Sequence, residues 1–99
     1  MITHIVLFNF KPTHKQDHVH EAISRLRALL GKVPSLRALE VGAHVGAPDR
    51  ACDLALITRF DDLAGLRAYA VDPVHLEVKR WLGEVLESSH VVDFDAAAG

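Results

Sequence analysis

The stretch Thr3-His4-Ile5-Val6-Leu7-Phe8-Asn9-Phe10 opens the chain with β-branched and aromatic residues bulky enough to be buried on both sides, and Lys11-Pro12 ends the run. Successive side chains of a strand point to opposite faces, so His4, Val6, Phe8 and Phe10 share one face while Thr3, Ile5, Leu7 and Asn9 share the other. A strand that is apolar on both faces needs two covering layers. The run has no basic segment ahead of it, no cleavage-site pattern and too few residues to span a bilayer, so it is read as a strand of the fold, not as a leader or an anchor.

Outward from this strand, the apolar residues Val19, Ala22, Ile23, Leu26, Leu29 and Leu30 recur at three- and four-residue steps. That spacing predicts an amphipathic helix from about residue 15 to residue 31, stopped by Gly31 and Pro34. Residues 37–46 alternate, with Leu39, Val41, Ala43 and Val45 opposite Glu40, Gly42 and His44, and predict a second strand. A turn over 46–50 leads to a third, in which Leu54, Leu56, Thr58 and Phe60 alternate with Ala55, Ile57 and Arg59. Asp61 or Asp62 caps a second helical segment through Leu63, Leu66 and Tyr69. Asp72-Pro73 interrupts that segment, and it restarts toward Leu86 with Leu76, Trp81, Leu82, Val85 and Leu86 as its apolar surface. His90, Val92 and Phe94 alternate with Val91 and Asp93 in a short closing strand, and residues 96–99 are expected to fray.

The order strand, helix, strand, strand, helix, strand predicts an α+β, ferredoxin-like βαββαβ fold. In it both helices lie on one face of an antiparallel four-stranded sheet, and one domain spans residues 1–99. The other face of the first strand, either Val6, Phe8 and Phe10 or Ile5 and Leu7, is then apolar and uncovered. A second copy is expected to cover it, two sheets closing into a dimeric α/β barrel. The chain's 99 residues suit this, because a domain of that size buries only about two-thirds of its unfolded surface.

Composition narrows the function classes. The chain is 49% hydrophobic and 24% charged with a net charge of −2, and its eleven Lys and Arg are scattered, which disfavours nucleic acid as a partner. The single cysteine, Cys52, cannot form an intrachain disulfide, so a reducing, cytoplasmic setting without a membrane partner is expected. No phosphate-cradling or dinucleotide motif occurs. His14 and His18 stand four apart with Glu21 nearby, a spacing that suits metal ligands, but no further ligand is in view and no metal is assigned. His44 and His90 are read as structural, and nothing in sequence activates Cys52.

Chemistry concentrates instead in Tyr69-Ala70-Val71-Asp72-Pro73-Val74-His75. On an unbroken helix at about 100° per residue the two rings would sit roughly 120° apart. With Asp72 as N-cap and Pro73 at the first helical position, the chain turns a corner and His75 falls at the third. The positive end of a helix dipole disfavours an imidazolium there, so His75 is expected to be neutral and able to accept a proton.

Four segments together make the chain resemble the stress-responsive A/B barrel domain (Dabb) family of dimeric α/β barrels. They are residues 3–11, the hairpin end Thr58-Arg59-Phe60-Asp61, residues 69–75 and Val91-Val92-Asp93-Phe94. The family pattern His-Pro-x-His is replaced here by Asp72-Pro73-Val74-His75, keeping the second histidine and a capping residue at the first. The resemblance implies a homodimer with an internal cleft in each subunit and no cofactor. Likeness to a plant polyketide cyclase of the family implies catalytic roles for His75 as general base and Tyr69 as the group that orients a carbonyl. By the same likeness His4, Leu54 and Leu86 line the ligand site, and Val6 and Phe8, on the strand face that carries His4, are expected to line it with them. Leu26, Leu54 and Leu86 stand where that cyclase has a tyrosine, a histidine and a tryptophan. The implied function is therefore the binding or enolisation of a small apolar or carbonyl compound, cyclase- or isomerase-like. The alternatives are a non-enzymatic stress-protective or structural oligomer, in which Tyr69 and His75 only pack and cap, and a cofactor-independent monooxygenase.

Overall fold

Along the chain run β1 (Ile2–Phe10), α1 (Lys15–Arg27), β2 (Ala38–Ala43), β3 (Leu54–Phe60), α2 (Leu63–Val71), α3 (Pro73–Val85) and β4 (Leu86–Asp95). The computed structural model describes residues 1–97; residues 98 and 99, the end of the segment expected to fray, lie outside the described residues. β1 is the central element, antiparallel to β3 on one side and to β4 on the other, and the sheet order is β2-β3-β1-β4. This is the four-stranded antiparallel, ferredoxin-like arrangement that the element order predicts.

The register decides which face of β1 meets the helices. Ile2, Val6, Phe8 and Phe10 are buried with Leu54, Leu56, Thr58 and Phe60 of β3, and α1 adds Val19, Ala22 and Leu26 while α3 adds Val78, Leu82 and Val85. Burying each of the larger side chains contributes about 1.5–3 kcal/mol. Ile5 and Leu7 point the other way. Ile5 pairs with Ile57 and Val92, and Leu7, Val92 and Phe94 are 38%, 61% and 43% exposed on the face without helices.

Three boundaries differ from the periodic reading. α1 ends at Arg27, where the chain tightens into three-residue bonds from Leu29 N–H to Leu26 and from Leu30 N–H to Arg27. Leu29 is buried and Leu30 is 47% exposed, so the apolar period outlasts the helix. Gly31 follows with a φ of +91°, a backbone setting that favours glycine. β2 stops at Ala43, leaving Val45 98% exposed in the turn. Finally, Leu86 is not a helical residue. It opens β4 directly after α3, and the register shift between Asn9 and Phe10 leaves Glu87 as the extra residue of a bulge.

The helix corner forms as its sequence dictates. The Asp62 carboxylate accepts from Gly65 N–H at 2.8 Å to start α2, and that of Asp72 accepts from Val74 N–H at 2.8 Å to start α3 behind Pro73. Each cap satisfies a donor that the helix itself leaves unpaired. Among the described residues no helix is long and apolar enough to cross a membrane.

Candidate functional site

A cavity of about 450 Å³ lies between the helix-facing side of the sheet and the corner joining α2 to α3. The corner brings Tyr69 and His75 together, their rings stacked with centroids 4.0 Å apart and planes 30° apart. Phe60 packs on Tyr69 at 5.1 Å, and His4 of β1 meets the Tyr69 ring edge-on at 6.2 Å. The Tyr69 ring is 2% exposed, yet its hydroxyl has no hydrogen-bond partner among the described residues, and neither has Nδ1 of His75. Both residues line the cavity, and both of these atoms are buried without a partner among the described residues, a condition that native folds rarely leave without a use.

Burial fixes the protonation states. It pushes the Tyr69 phenol up to about 12, so the hydroxyl stays a neutral donor across physiological pH. Burial likewise pushes His75 below the ordinary histidine value; the Lys79 and His4 charges add to this, while the Ala70 backbone and Asp72 oppose it. A neutral His75 therefore follows, with desolvation as its main cause.

Asp93 is the residue that sequence reasoning missed. It pairs in register with His4 across β1 and β4, and its carboxylate hydrogen-bonds Nδ1 of His4. With Nδ1 held in this way, Nε2 is the ring nitrogen left to a ligand. A signal existed in the lone acid of Val91-Val92-Asp93-Phe94, but its partner lies 89 positions away.

Of the residues picked from sequence, Tyr69, His75, His4, Val6, Phe8 and Leu86 all line the cavity. Leu54 does not, and this corrects its placement. Leu54 pairs with Phe8 at the far end of β3, 2% exposed and against the smaller pocket near Cys52, whereas Leu56, opposite Val6, takes the wall position. Leu26, Leu66 and Leu82 complete an apolar interior, and the exposed Lys79 and Glu87 lie at its outer part. His14 and His18 are elsewhere. Their rings meet at 6.2 Å, His18 abuts Trp81 at 6.2 Å, and Arg25 sits 4.4 Å over the indole. Among the described residues no group of three or more His, Cys, Asp or Glu side chains is placed to hold a metal ion.

Comparison with known proteins agrees with this architecture. The family model of the stress responsive A/B barrel domain, Dabb, matches residues 2–96. A dimeric protein of unknown function with a ferredoxin-like fold from Bacteroides fragilis is 30% identical, the match covering 95% of this chain and 94% of that one at a TM-score of 0.86. A dimeric ferredoxin-like protein of unknown function from Thermobifida fusca is also 30% identical, covering 94% and 88% at a TM-score of 0.85. The hydroxynitrile lyase from Passiflora edulis, at 18% identity, covers 94% and 90% with a TM-score of 0.82, a likeness of fold alone. No curated protein sequence matches. The chain belongs to the stress responsive A/B barrel domain family.

Proposed function

We propose that the protein is a cytoplasmic homodimer whose subunits each bind a small compound with an apolar body and one carbonyl group, and shift a proton on it without a cofactor, as a cyclase or isomerase does. The observation that carries this reading is the stacked Tyr69–His75 pair lining a largely apolar cavity, each ring holding a buried polar atom without a partner among the described residues. Tyr69 donates its hydroxyl to the carbonyl oxygen. Neutral His75 takes a proton from the adjacent carbon; the C–H electron pair moves into an enolate whose oxygen Tyr69 holds, and the imidazolium returns the proton to the same or another carbon. His4, oriented by Asp93, presents Nε2 as a second proton carrier. A hydroxynitrile lyase and an antibiotic biosynthesis monooxygenase share the fold, but at 18% and 19% identity their reactions remain their own.

Hydrogen–deuterium exchange at the α-carbon of methyl hexyl ketone in D2O, followed by NMR, tests the proposal. The wild-type protein should accelerate exchange, and His75→Ala and Tyr69→Phe should each lower that rate about 10²-fold or more while the fold is kept. Exchange no faster than in buffer alone, with the ketone bound, would leave the pair a packing and capping device in a non-enzymatic protein.

A further inference from the structure

Lys79 lies four residues beyond His75 on α3, so the two side chains leave the helix on one face, and both join the cavity wall. Among the described residues it is the one lysine or arginine on that wall. Lys15, Arg25, Arg37 and Arg59 are each paired with a carboxylate, whereas Lys79 has none within ion-pair distance among the described residues. Among the described residues Glu87, displaced by the β4 bulge, is the one carboxylate on the wall, and it too is exposed and without an ion-pair partner there. The deep wall is different in kind: Leu26 and Leu56 are 1% and 2% exposed, and polar atoms there come from the three rings His4, Tyr69 and His75. Polar recognition beyond the rings is thus confined to the outer part, where the side-chain cation is Lys79.

We propose that Lys79 is an anion-binding residue of this cavity and that the ligand is an aliphatic keto acid, its saturated body against the leucines, its carbonyl at Tyr69 and its carboxylate at Lys79. This rests on the cavity reading given above and names the ligand class. The Lys79 charge is felt at His75, where it adds to the effect of burial. A carboxylate seated on Lys79 therefore also sits where it raises the basicity of the proton-accepting ring.

Binding of γ-ketooctanoate and of its uncharged methyl ester, each measured by isothermal titration calorimetry, tests this. The wild-type protein should bind the acid about five-fold more tightly than the ester at low ionic strength, because the cation is exposed and partly screened. Raising the salt to about 1 M should bring that ratio toward one. Lys79→Met, a change that preserves helix propensity, should bring the ratio of acid to ester affinity to about one, while Glu87→Gln should widen the wild-type preference. Equal binding of acid and ester by the wild type, or a preference that survives in Lys79→Met, overturns the role of Lys79 and leaves the cavity reading standing. If neither compound binds, the cavity reading falls, and this proposal falls with it.

Discussion

A buried phenol with no partner for its hydroxyl costs a fold about 1–3 kcal/mol, and Tyr69 carries that cost at 2% exposure. Tyr69→Phe should therefore raise the free energy of unfolding by about 1 kcal/mol in urea titrations and at the same time weaken ketone binding. A tyrosine kept for packing alone would show no such opposition of stability and affinity. His75 gives a second residue-scale test through pH. Its folded pKa lies below the ordinary value of about 6.5, so the folded state holds fewer protons than the unfolded state in that region. The stability this group contributes is whole above about pH 7 and declines as pH falls through 6.5 toward the folded value, with a ceiling near 1.4 kcal/mol per pH unit. Urea midpoints of His75→Asn between about pH 5 and pH 8 should lose that part of the slope. The pairing of Tyr69 with His75 was legible because six positions and a visible break separate them. The bond from His4 to Asp93 was not, since it needs the register of two strands at opposite ends of the chain. Nor was the burial that lowers the His75 pKa, because the depth of a side chain is a property of the assembled fold.

At the scale of elements, the corner between α2 and α3 is what turns a helical sequence into a site. Asp72 accepts from Val74 N–H, and its extended backbone, with ψ at 131°, ends one helix and starts the next. Asp72→Ala should cost about 1 kcal/mol of stability through the lost cap. It should also weaken ligand binding, because the relative angle of the two helices sets the 4.0 Å stacking of the rings. Asp72→Asn retains an accepting oxygen and should restore both, measured by urea titration and calorimetry on the same samples. This break, a cap at one of the two aspartates Asp61 and Asp62, and the alternation in β3 were plain in the sequence because each is a local code; that Asp62 is the one that caps is seen only in its bond from Gly65 N–H. The ends of α1 and α3 were not. Leu29 continues the apolar period after the hydrogen-bonding pattern has changed, and Leu86 follows α3 with no glycine or proline to mark the switch into β4. Periodicity reports which residues are buried, and burial does not distinguish the last turn of a helix from the first residue of a strand.

For the whole molecule, the decisive fact is a sheet covered on one side. The opening strand announced two apolar faces, but both alternating sets are apolar, so only the register with β3 and β4 shows that Ile5 and Leu7 are the pair turned away from the helices. Together with Ile57, Val92 and Phe94 they make an apolar face of the kind that soluble monomers rarely leave open. Solved structures at 30% identity are described as dimeric, and a second copy of this chain would bring the same stripe to meet itself about a two-fold axis. Val92 is 61% exposed in the isolated chain, so Val92→Glu should fold with little loss of its own. In a dimer built on this face the same change would bury two carboxylates without partners, a cost of several kcal/mol, and the assembly should dissociate. Sedimentation velocity at micromolar concentration should then find a dimer for the wild type and a folded monomer for Val92→Glu. Leu30→Glu, an equivalent change at an exposed leucine just past α1 and away from this face, should leave the dimer intact. If Val92→Glu remained dimeric, the subunits would have to meet elsewhere. The stripe through Ile5, Leu7 and Ile57 would then need some other cover, because its apolar area does not disappear with the choice of interface.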